Sequence, residues 1–307
     1  MDLLVKLLTK NLFRIILISQ KNVISYRENA IIIHKEGIAL NMEIVMLGTG
    51  NAMVTECYNT CFVLKNEEEY LLVDGGGGST LFRQLKYAGV PWNKIKNIFV
   101  THGHVDHLTG IIWMVRKVCQ AMSEGKYEGE VKVYAHRELC TMIESISRML
   151  YPEKICRYIG ERFHLISICD GEEKELIGKR FTFFDIGSTK LTQFGFSLEL
   201  NNGERLTCCG DEPFRECERR YAEQSKWLLH EAFCLFSEAD TFHPYEKHHS
   251  TAKDAALLAQ ELGVKNLLLY HTEDKNIKNR KELYTAEAKE HFSGEVFVPD
   301  DLETITL

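Results

Sequence analysis

The feature that most constrains the fold is a histidine-rich segment that directly follows an apolar, strand-like run. Residues 95–101 have the pattern of a β-strand, and Thr101-His102-Gly103-His104-Val105-Asp106-His107 comes straight after it. Three imidazoles and a carboxylate this close together can converge from one tight loop, and both groups suit a metal such as Zn²⁺. We expect His102 and His104 to face one way and Asp106 and His107 another, so that the loop can serve two adjacent ions.

Three further polar residues stand where other apolar runs end. Asp211 follows a strand-like run in Cys209-Gly210-Asp211, and His271 follows another in Tyr270-His271-Thr272. A carboxylate between two cations can bridge them, and a further imidazole can complete the second ion. Asp74 comes after Leu71-Leu72-Val73 and before four glycines. We interpret Asp74 as a residue that orients a ligand, or as a turn residue, and not as a ligand itself.

The order of strand-like and helix-like segments predicts one large α/β domain over residues 42–307. Short β-type runs and amphipathic helical runs alternate from residue 43, and the second half is again rich in strands. Two strand-rich halves with interspersed helices favour two packed sheets covered by helices. The expected strands are at residues 43–47, 61–64, 70–73, 95–101, 163–168, 180–184, 194–200, 205–209, 227–231, 266–271 and 296–298, and the expected helices at 81–88, 111–122, 138–150, 252–262 and 282–292.

These motifs together resemble the metallo-β-lactamase superfamily, whose fold is a four-layer αββα sandwich. The resemblance rests on the HxHxDH segment, Asp74-Gly75-Gly76, Gly210-Asp211 and the late His271, and it covers residues 42–307. Within the superfamily, the ribonuclease Z branch is indicated by Leu229-His230-Glu231-Ala232, Lys247-His248-His249-Ser250-Thr251-Ala252 and Leu268-Leu269-Tyr270-His271.

The resemblance implies a role for each candidate residue. His102, His104 and Asp211 would bind one ion, and Asp106, His107, His271 and Asp211 the other. His249 matches the extra catalytic histidine of the branch, and Glu231 matches the acid that pairs with it. The other interpretation of His249 is an ordinary neighbour of a helix cap, since Ser250 or Thr251 could cap the helix that follows. His248 and Ser250 are candidate substrate contacts, with His248 otherwise a bystander.

This set of residues agrees with the chemistry of phosphodiester hydrolysis. Two ions about 3.5–4 Å apart can generate a hydroxide near neutral pH that attacks phosphorus, with Asp106 among the catalytic residues. The leaving alkoxide then needs a proton, and a histidine held by a carboxylate can supply one. His249 with Glu231 fits that role.

The sequence departs from the family pattern in two places. The third histidine of the first ion is expected near Asp185-Ile186-Gly187-Ser188, where Gly187 or Ser188 stands instead. The first ion is therefore expected to be weakly held, completed by water, or absent, and His136 and His164 are the nearest alternative histidines. The segment from Gly187 to Asp211 also leaves no room for the tRNA-gripping arm that many ribonuclease Z proteins carry.

Composition limits the class and the surroundings of the protein. A net charge of −7 argues against a dedicated binder of nucleic acid. The ten cysteines form no CxxC pair, which favours free thiols and a cytoplasmic protein. Apolar stretches in the first 41 residues are too short for a membrane span, so we expect no membrane partner. We expect residues 1–41 to be an N-terminal extension, either translated leader before a start at Met42 or a disordered segment.

We therefore predict a zinc-dependent phosphodiesterase of the ribonuclease Z type, with two Zn²⁺ expected and Mn²⁺ as the other candidate. Its substrate is either RNA, as in tRNA 3′ processing by an endonuclease, or a small or cyclic phosphodiester. The acidic charge and the missing arm favour the small substrate. Two alternatives are an acyl hydrolase acting on thioesters or lactones, and a metal-binding protein with impaired catalysis. The resemblance also implies a homodimer.

Overall fold

The computed structural model describes residues 42–307 and, before them, three short strands: Leu17–Ser19 (β1), Asn22–Arg27 (β2) and Ala30–His34 (β3). Met1–Asn41 and Met42–Leu307 are two separate compact units. In the first unit, β1, β2 and β3 form an antiparallel sheet. The other residues of the expected N-terminal extension, residues 1–41, lie outside the described part of the chain, so its nature stays a prediction.

The second unit begins with a seven-stranded sheet in the order β17-β4-β5-β6-β7-β8-β9. The strands from β6 to β9 are parallel, and the pairs β17–β4, β4–β5 and β5–β6 are antiparallel. Its strands are Glu43–Gly48 (β4), Cys61–Asn66 (β5), Glu69–Val73 (β6), Asn97–Phe99 (β7), Val131–Ala135 (β8), Phe163–Ser167 (β9) and Thr304–Thr306 (β17).

A second seven-stranded sheet follows the chain order from β10 to β16. It starts as antiparallel hairpins and continues in parallel from β13 to β16. Its strands are Glu172–Leu176 (β10), Lys179–Asp185 (β11), Phe194–Glu199 (β12), Arg205–Cys208 (β13), Trp227–Glu231 (β14), Asn266–Tyr270 (β15) and Glu295–Phe297 (β16).

Helices connect and cover these strands. The helix Ala252–Leu262 shows clear end signals, since the side chain of Thr251 accepts a hydrogen bond from the Asp254 amide and Gly263 ends the helix at φ +65°. The α-helices are Thr80–Tyr87 (α1), Val105–Ser123 (α2), Arg137–Leu150 (α3), Glu153–Cys156 (α4), Arg219–Ala222 (α5), Ala239–Phe242 (α6), Ala252–Leu262 (α7) and Arg280–Lys289 (α8).

The alternation of side chains along the strands builds the layers. On β6, Tyr70 and Leu72 pack with residues of α1 and α2, whereas Leu71 and Val73 point to the opposite face and pack against the second sheet. The far face of the second sheet packs on α7 and α8. The second unit is therefore the four-layer αββα sandwich predicted from the sequence.

Most of the predicted elements are present, with ends that differ by a few residues. The strands β1 to β3, β8, β10 and β17 and the short helices α4, α5 and α6 were not predicted, and the expected strand at residues 95–101 is confined to β7. Of the helices in the described part of the chain, none combines the length and the apolar character that a membrane crossing requires.

One close backbone contact fixes the helix that follows the histidine segment. Gly110 of α2 donates to the carbonyl of Gly76 at 2.9 Å, and Gly75 donates to the carbonyl of His107 at 2.8 Å. A Cβ on Gly110 would lie 1.8 Å from the carbonyl oxygen of Gly75. The start of α2 therefore lies directly on the turn after β6, and a side chain at Gly110 would separate them.

We predict that Gly110→Ala destabilises the protein although alanine is the better helix former. The gain in helix propensity is about 1 kcal/mol, whereas overpacking typically costs about 1–3 kcal/mol and more where, as here, the obstacle is backbone that cannot rotate away. Thermal unfolding should show a lower midpoint for Gly110→Ala than for Gln120→Ala, which places alanine at an exposed position of the same helix. A Gly110→Ala protein as stable as the wild type would contradict this contact.

Candidate metal centre

Both sheets contribute residues to one site, each at the carboxyl ends of its parallel strands. Asp74 follows β6, and the segment from His102 to His107 follows β7 and enters α2. From the second sheet, Asp211 follows β13 and His271 follows β15. Loops at this edge of an open parallel sheet are the usual location of active sites in α/β proteins.

Five of the predicted ligands form two clusters that could each hold a metal ion. The first consists of His102, His107 and Asp211, and the second of Asp106, His107 and His271; within each cluster one ligand atom per residue lies within 4.8 Å of the others. All five residues are buried. The clusters share His107, and Asp211 lies between them.

One oxygen of Asp211 is the geometric centre of this arrangement. Its Oδ2 lies 3.5 Å from Nε2 of His102, 3.3 Å from Nε2 of His107 and 3.5 Å from Nε2 of His271. Burial by itself would raise the pKa of Asp211, but His102 and His107 hold that pKa well below its ordinary value. A charged carboxylate oxygen facing three imidazole nitrogens is the arrangement that a bridging ligand requires.

The donor set fits a divalent metal ion. Nε2 of His107 is buried and has no hydrogen-bond partner among the described residues. The nearest carboxylate oxygens are those of Asp211 and, at 3.4 Å, Asp106. A buried imidazole nitrogen this close to two carboxylates needs a proton or a metal ion between them, and nitrogen and oxygen donors in such a cluster suit ions such as Zn²⁺.

Behind the ligands, polar groups fix the orientation of each imidazole. Asp74 Oδ2 lies 2.7 Å from Nδ1 of His107, and Asp74 also accepts from the amide and the hydroxyl of Thr101, both at 2.8 Å. The Thr101 hydroxyl lies 2.9 Å from Nδ1 of His102, and the Thr60 hydroxyl 3.2 Å from Nδ1 of His271. These contacts leave Nε2 of each histidine directed at the shared centre, as is common around protein-bound metals.

Asp74 and His271 both have left-handed backbone, each at φ 59°. This region is costly for residues other than glycine, and asparagine and aspartate tolerate it best. Asp74 therefore contacts His107 from a backbone conformation that asparagine could also adopt.

His104 lies beside the site without joining either cluster. Its Nδ1 is 2.8 Å from Nε2 of His102, and it precedes the first residue of α2. At the position where the third histidine of the first ion is expected, the Ser188 hydroxyl donates instead to Glu212 at 2.7 Å. The first cluster therefore has fewer imidazoles than the family pattern implies.

The two alternative histidines are elsewhere in the structure. Nδ1 of His136 lies 3.0 Å from Glu138, and its ring stacks on Phe194. His164 is near Glu130, with Nε2 3.3 Å from that carboxylate. Neither is part of the two clusters.

His249 stands at the edge of the metal centre, close to Glu231. Its ring stacks on Phe233 with the centroids 4.8 Å apart and lies 5.4 Å from the ring of His271. Nδ1 of His249 is 3.7 Å from Glu231 Oε2, which is beyond hydrogen-bond distance. Burial, together with His271, lowers the pKa of His249 to about 3.

Glu231 is fully buried, and both of its oxygens accept from backbone amides. Oε1 accepts from Ser250, and Oε2 accepts from Phe233 at 3.1 Å. Burial raises the pKa of Glu231 well above its ordinary value. Glu231 thus connects the segment after β14 to the segment that carries His249.

The two predicted substrate contacts do not line the cavity above the metal centre. His248 is exposed, and Ser250 is buried with its amide on Glu231. The cavity has a volume of about 810 Å³ and opens over Asp211 and His271. Its other walls come from Asn51, Ala52, Met53, Val54, Gly103, His104, Val105, Asp106, Lys190, Phe233, Phe242, Lys247, His249, Glu273 and Asp274.

Two residues that contact the ligands were not predicted from the sequence. Thr60 orients His271, and the side chain of Gln193 donates to Asp211 Oδ1. Gln193 stands directly before β12, and Thr60 directly before β5. A polar residue at a strand end is common, so neither position carries a distinctive signal.

The chain is similar in sequence to curated ribonuclease Z proteins and in structure to a metallo-β-lactamase fold protein. Ribonuclease Z from Salinispora arenicola (strain CNS-205) is 26% identical over 303 residues, which cover 86% of this chain and 95% of that protein. Ribonuclease Z from Nitrosopumilus maritimus (strain SCM1) is 28% identical over 316 residues, covering 85% and 99%. The metallo-β-lactamase fold protein YhfI from Bacillus subtilis superposes with a TM-score of 0.69 at 18% identity, covering 86% of this chain and 99% of that chain.

The fold and the site define a metal-dependent hydrolase of the metallo-β-lactamase superfamily, in its ribonuclease Z-like branch. A family model described as "Anti-Pycsar protein Apyc1" matches residues 42–292, which is most of the second unit. The chain belongs to this family. The superfamily and branch predicted from the sequence are confirmed.

We predict that Asp74→Asn weakens metal binding by ~10–100-fold while leaving the fold intact. Asparagine tolerates the left-handed backbone at this position. It lacks the negative charge that the Asp74 carboxylate places beside Nδ1 of His107. A competition titration with a chromogenic zinc chelator measures the affinity. Asp240→Asn, at an exposed carboxylate, is the matched control. Equal zinc affinity for Asp74→Asn and the wild type would rule out the orienting role.

Proposed function

We propose that this protein is a zinc-dependent phosphodiesterase that acts on a small phosphodiester. The observation that supports this most strongly is the pair of clusters that share His107, with Asp211 between them at the base of a cavity. A bound pair of zinc ions would supply Lewis acidity and an activated water near neutral pH. The proposed ligands of the first ion are His102, His104 and Asp211. Those of the second ion are Asp106, His107, His271 and the shared Asp211.

The residues around the cavity have separate tasks in this proposal. His249 gives a proton to the leaving oxygen, and the stacked ring of Phe233 keeps its imidazole in place. Glu231 holds the backbone on both sides of that imidazole. Lys190 and Lys247 line the same cavity and offset the negative charge of a phosphodiester. That charge, brought next to His249, favours the protonated form that donation requires.

The size of the cavity and the path of the chain favour a small substrate over RNA. A volume of about 810 Å³ is in the range of small-molecule sites. Between Gly187 and Asp211 the chain forms a short loop and then β12 and β13, where an RNA-gripping arm would have to be inserted. RNA cleavage, which the names of the ribonuclease Z relatives describe, is the second candidate. The family is named for acting against Pycsar, and we propose that role for this chain.

One observation favours a different outcome, namely a metal-binding protein with impaired catalysis. The position of the expected third histidine is taken by Ser188, which bonds to Glu212 and contributes no imidazole to the first cluster. Metal analysis together with turnover separates the two proposals: two metal equivalents per chain with activity that His107→Ala abolishes would exclude impaired catalysis, whereas absence of hydrolysis would support it. We also propose Zn²⁺ rather than Mn²⁺ as the native metal, a homodimer and a cytoplasmic location. The exposed His248 is the proposed contact for parts of the substrate outside the cavity.

Turnover of a substrate panel tests the proposed activity. The zinc-loaded protein should hydrolyse a nucleoside cyclic phosphate and a chromogenic bis-aryl phosphate, and His107→Ala should abolish both activities because both clusters lose a ligand. A tRNA precursor, a thioester and a lactone complete the panel. Cleavage of the tRNA precursor without small-ester activity would replace the proposed substrate, and turnover of the acyl substrates alone would replace the proposed reaction.

The role of His249 predicts a dependence on the leaving group. His249→Ala should slow hydrolysis of an ester with an alkoxide leaving group by ~10²–10⁴-fold, because that oxygen needs a proton as it departs. A nitrophenolate leaves without one, so the rate with the bis-aryl phosphate should fall by less than about tenfold. His243→Asn, at an exposed histidine with φ 50°, is the control. An equal loss on both esters would exclude proton donation by His249.

A further inference from the structure

Gln193 carries a buried side-chain amide at the base of the metal centre. It is 1% exposed, although glutamine is usually a surface residue. The backbone carbonyl of Gln193 accepts a hydrogen bond from the backbone amide of Ile186 at 3.1 Å. This bond closes the loop where the third histidine was expected. The backbone amide of the next residue, Phe194, donates to the backbone carbonyl of Thr101 at 3.0 Å. The backbone at Gln193 is therefore fixed to the strand end that carries His102.

The side chain of Gln193 reaches Asp211 through a space that only glycine leaves open. Its Nε2 donates to Asp211 Oδ1. A Cβ on Gly210 would lie 2.8 Å from that same Nε2. Gly210 has φ +78°, so a side chain at this position would be strained in its backbone as well as crowded. The absence of a side chain at Gly210 is what allows the amide to contact the carboxylate.

The two oxygens of Asp211 consequently have different environments. Oδ1 accepts from Gln193, whereas Oδ2 faces Nε2 of His102, His107 and His271 at 3.3–3.5 Å. A carboxylate that is free to rotate could offer both oxygens to one ion. The hydrogen bond from the amide removes that freedom, because rotation would take Oδ1 away from its donor.

We propose that Gln193 is a positioning residue that holds Asp211 with a single oxygen available to both metal ions, and that the weaker first site depends on it. This inference rests on the proposed metal-dependent function. Each histidine facing Oδ2 already has an orienting partner in Thr60, Asp74 or Thr101, and Gln193 supplies the missing partner for the carboxylate. The amide is a neutral donor, so it orients Asp211 without competing with the metals for its charge.

The first ion is the more sensitive of the two because its ligand set is smaller. If His107 serves the second ion, the first retains His102, His104 and Asp211, with no third histidine at Gly187 or Ser188. The second ion has Asp106, His107 and His271 besides Asp211. Loss of the orientation of Asp211 removes one of three ligands in the first set and one of four in the second.

Zinc binding by Gln193→Met tests the proposal. Methionine keeps the length of the side chain but has no donor. We expect the weaker zinc site to lose ~10–100-fold in affinity, as is usual when a partner of a metal ligand is removed. We expect the tighter site to change much less. The readouts are a competition titration with zinc alone and the absorption spectrum of the Co²⁺-substituted protein, which reports the ligand geometry.

Gln120→Met is the matched control. Gln120 also donates to a carboxylate, that of Glu124 at 3.0 Å. This pair is exposed at the C-terminal end of α2, whereas the metal ligands Asp106 and His107 lie at its N-terminal end. The same substitution should leave the zinc titration and the Co²⁺ spectrum as in the wild type. A change in Gln193→Met alone therefore reports the bond to Asp211.

A second variant keeps the test decisive if Gln193→Met folds poorly. Gln193→Asn retains an amide that is one methylene shorter, and we expect a loss of affinity in the same direction but smaller. The thermal midpoint of the metal-free proteins separates this effect from general destabilisation. Equal zinc affinity in wild type, Gln193→Met and Gln193→Asn would overturn the proposal. So would equal losses in both variants accompanied by a lowered metal-free midpoint, since that is a structural role only.

This experiment fails or succeeds separately from the proposed activity. If the wild type binds zinc but hydrolyses no phosphodiester, the proposed function is wrong, and the zinc titrations still decide the role of Gln193. If phosphodiester turnover is present and Gln193→Met binds zinc like the wild type, only the role of Gln193 is wrong. In the supporting case, the rate with the bis-aryl phosphate should show a lower kcat with little change in KM.

Discussion

The packing of the two sheets against each other is the constraint on which the metal centre depends, because each sheet supplies part of the ligand set. Phe99, the last residue of β7, packs on Phe183 and Phe196 of the second sheet, with centroids 4.9 and 5.7 Å apart. Three residues later the chain reaches His102. This aromatic contact sets how far the histidine segment of one sheet lies from Asp211 and His271 of the other. Dense packing makes that distance insensitive to small local changes.

Electrostatics adds a second constraint at the same place. Asp74, Asp106 and Asp211 are all buried, and burying carboxylates is costly unless cations or hydrogen bonds accompany them. Thr101 and Gln193 supply part of that compensation as donors. Asp106 gains a further contribution from its position in the first turn of α2, where the helix dipole favours negative charge. The negative charge of Asp106 and Asp211 that is not compensated in this way faces the histidines. A divalent cation bound there would neutralise it.

The fold was predictable because its signals are local, and the parts that were missed depend on distant contacts. Apolar runs that end at Asp74, His102, Asp211 and His271 identify both the strands and the ligands. The strand β10 was not predicted because Glu172–Leu176 lies at the edge of its sheet and consists mostly of charged residues. Its sequence therefore lacks the alternation of apolar and polar residues that indicates a strand. Gln193 and Thr60 contact residues that are 18 and 211 positions away in the chain, and no local pattern encodes such pairs. The sequence did reveal the absent third histidine, but only the structure shows that Ser188 bonds to Glu212 there.

The left-handed backbone at Asp74 and His271 has a consequence for which substitutions the metal centre can tolerate. Holding two residues other than glycine in this region costs about 1–2 kcal/mol each, and the surrounding hydrogen bonds maintain it before any ion arrives. A substitution that removed one of those hydrogen bonds would therefore release the backbone as well as the side chain. The end of that strand and the group it presents to the metal centre would then move together.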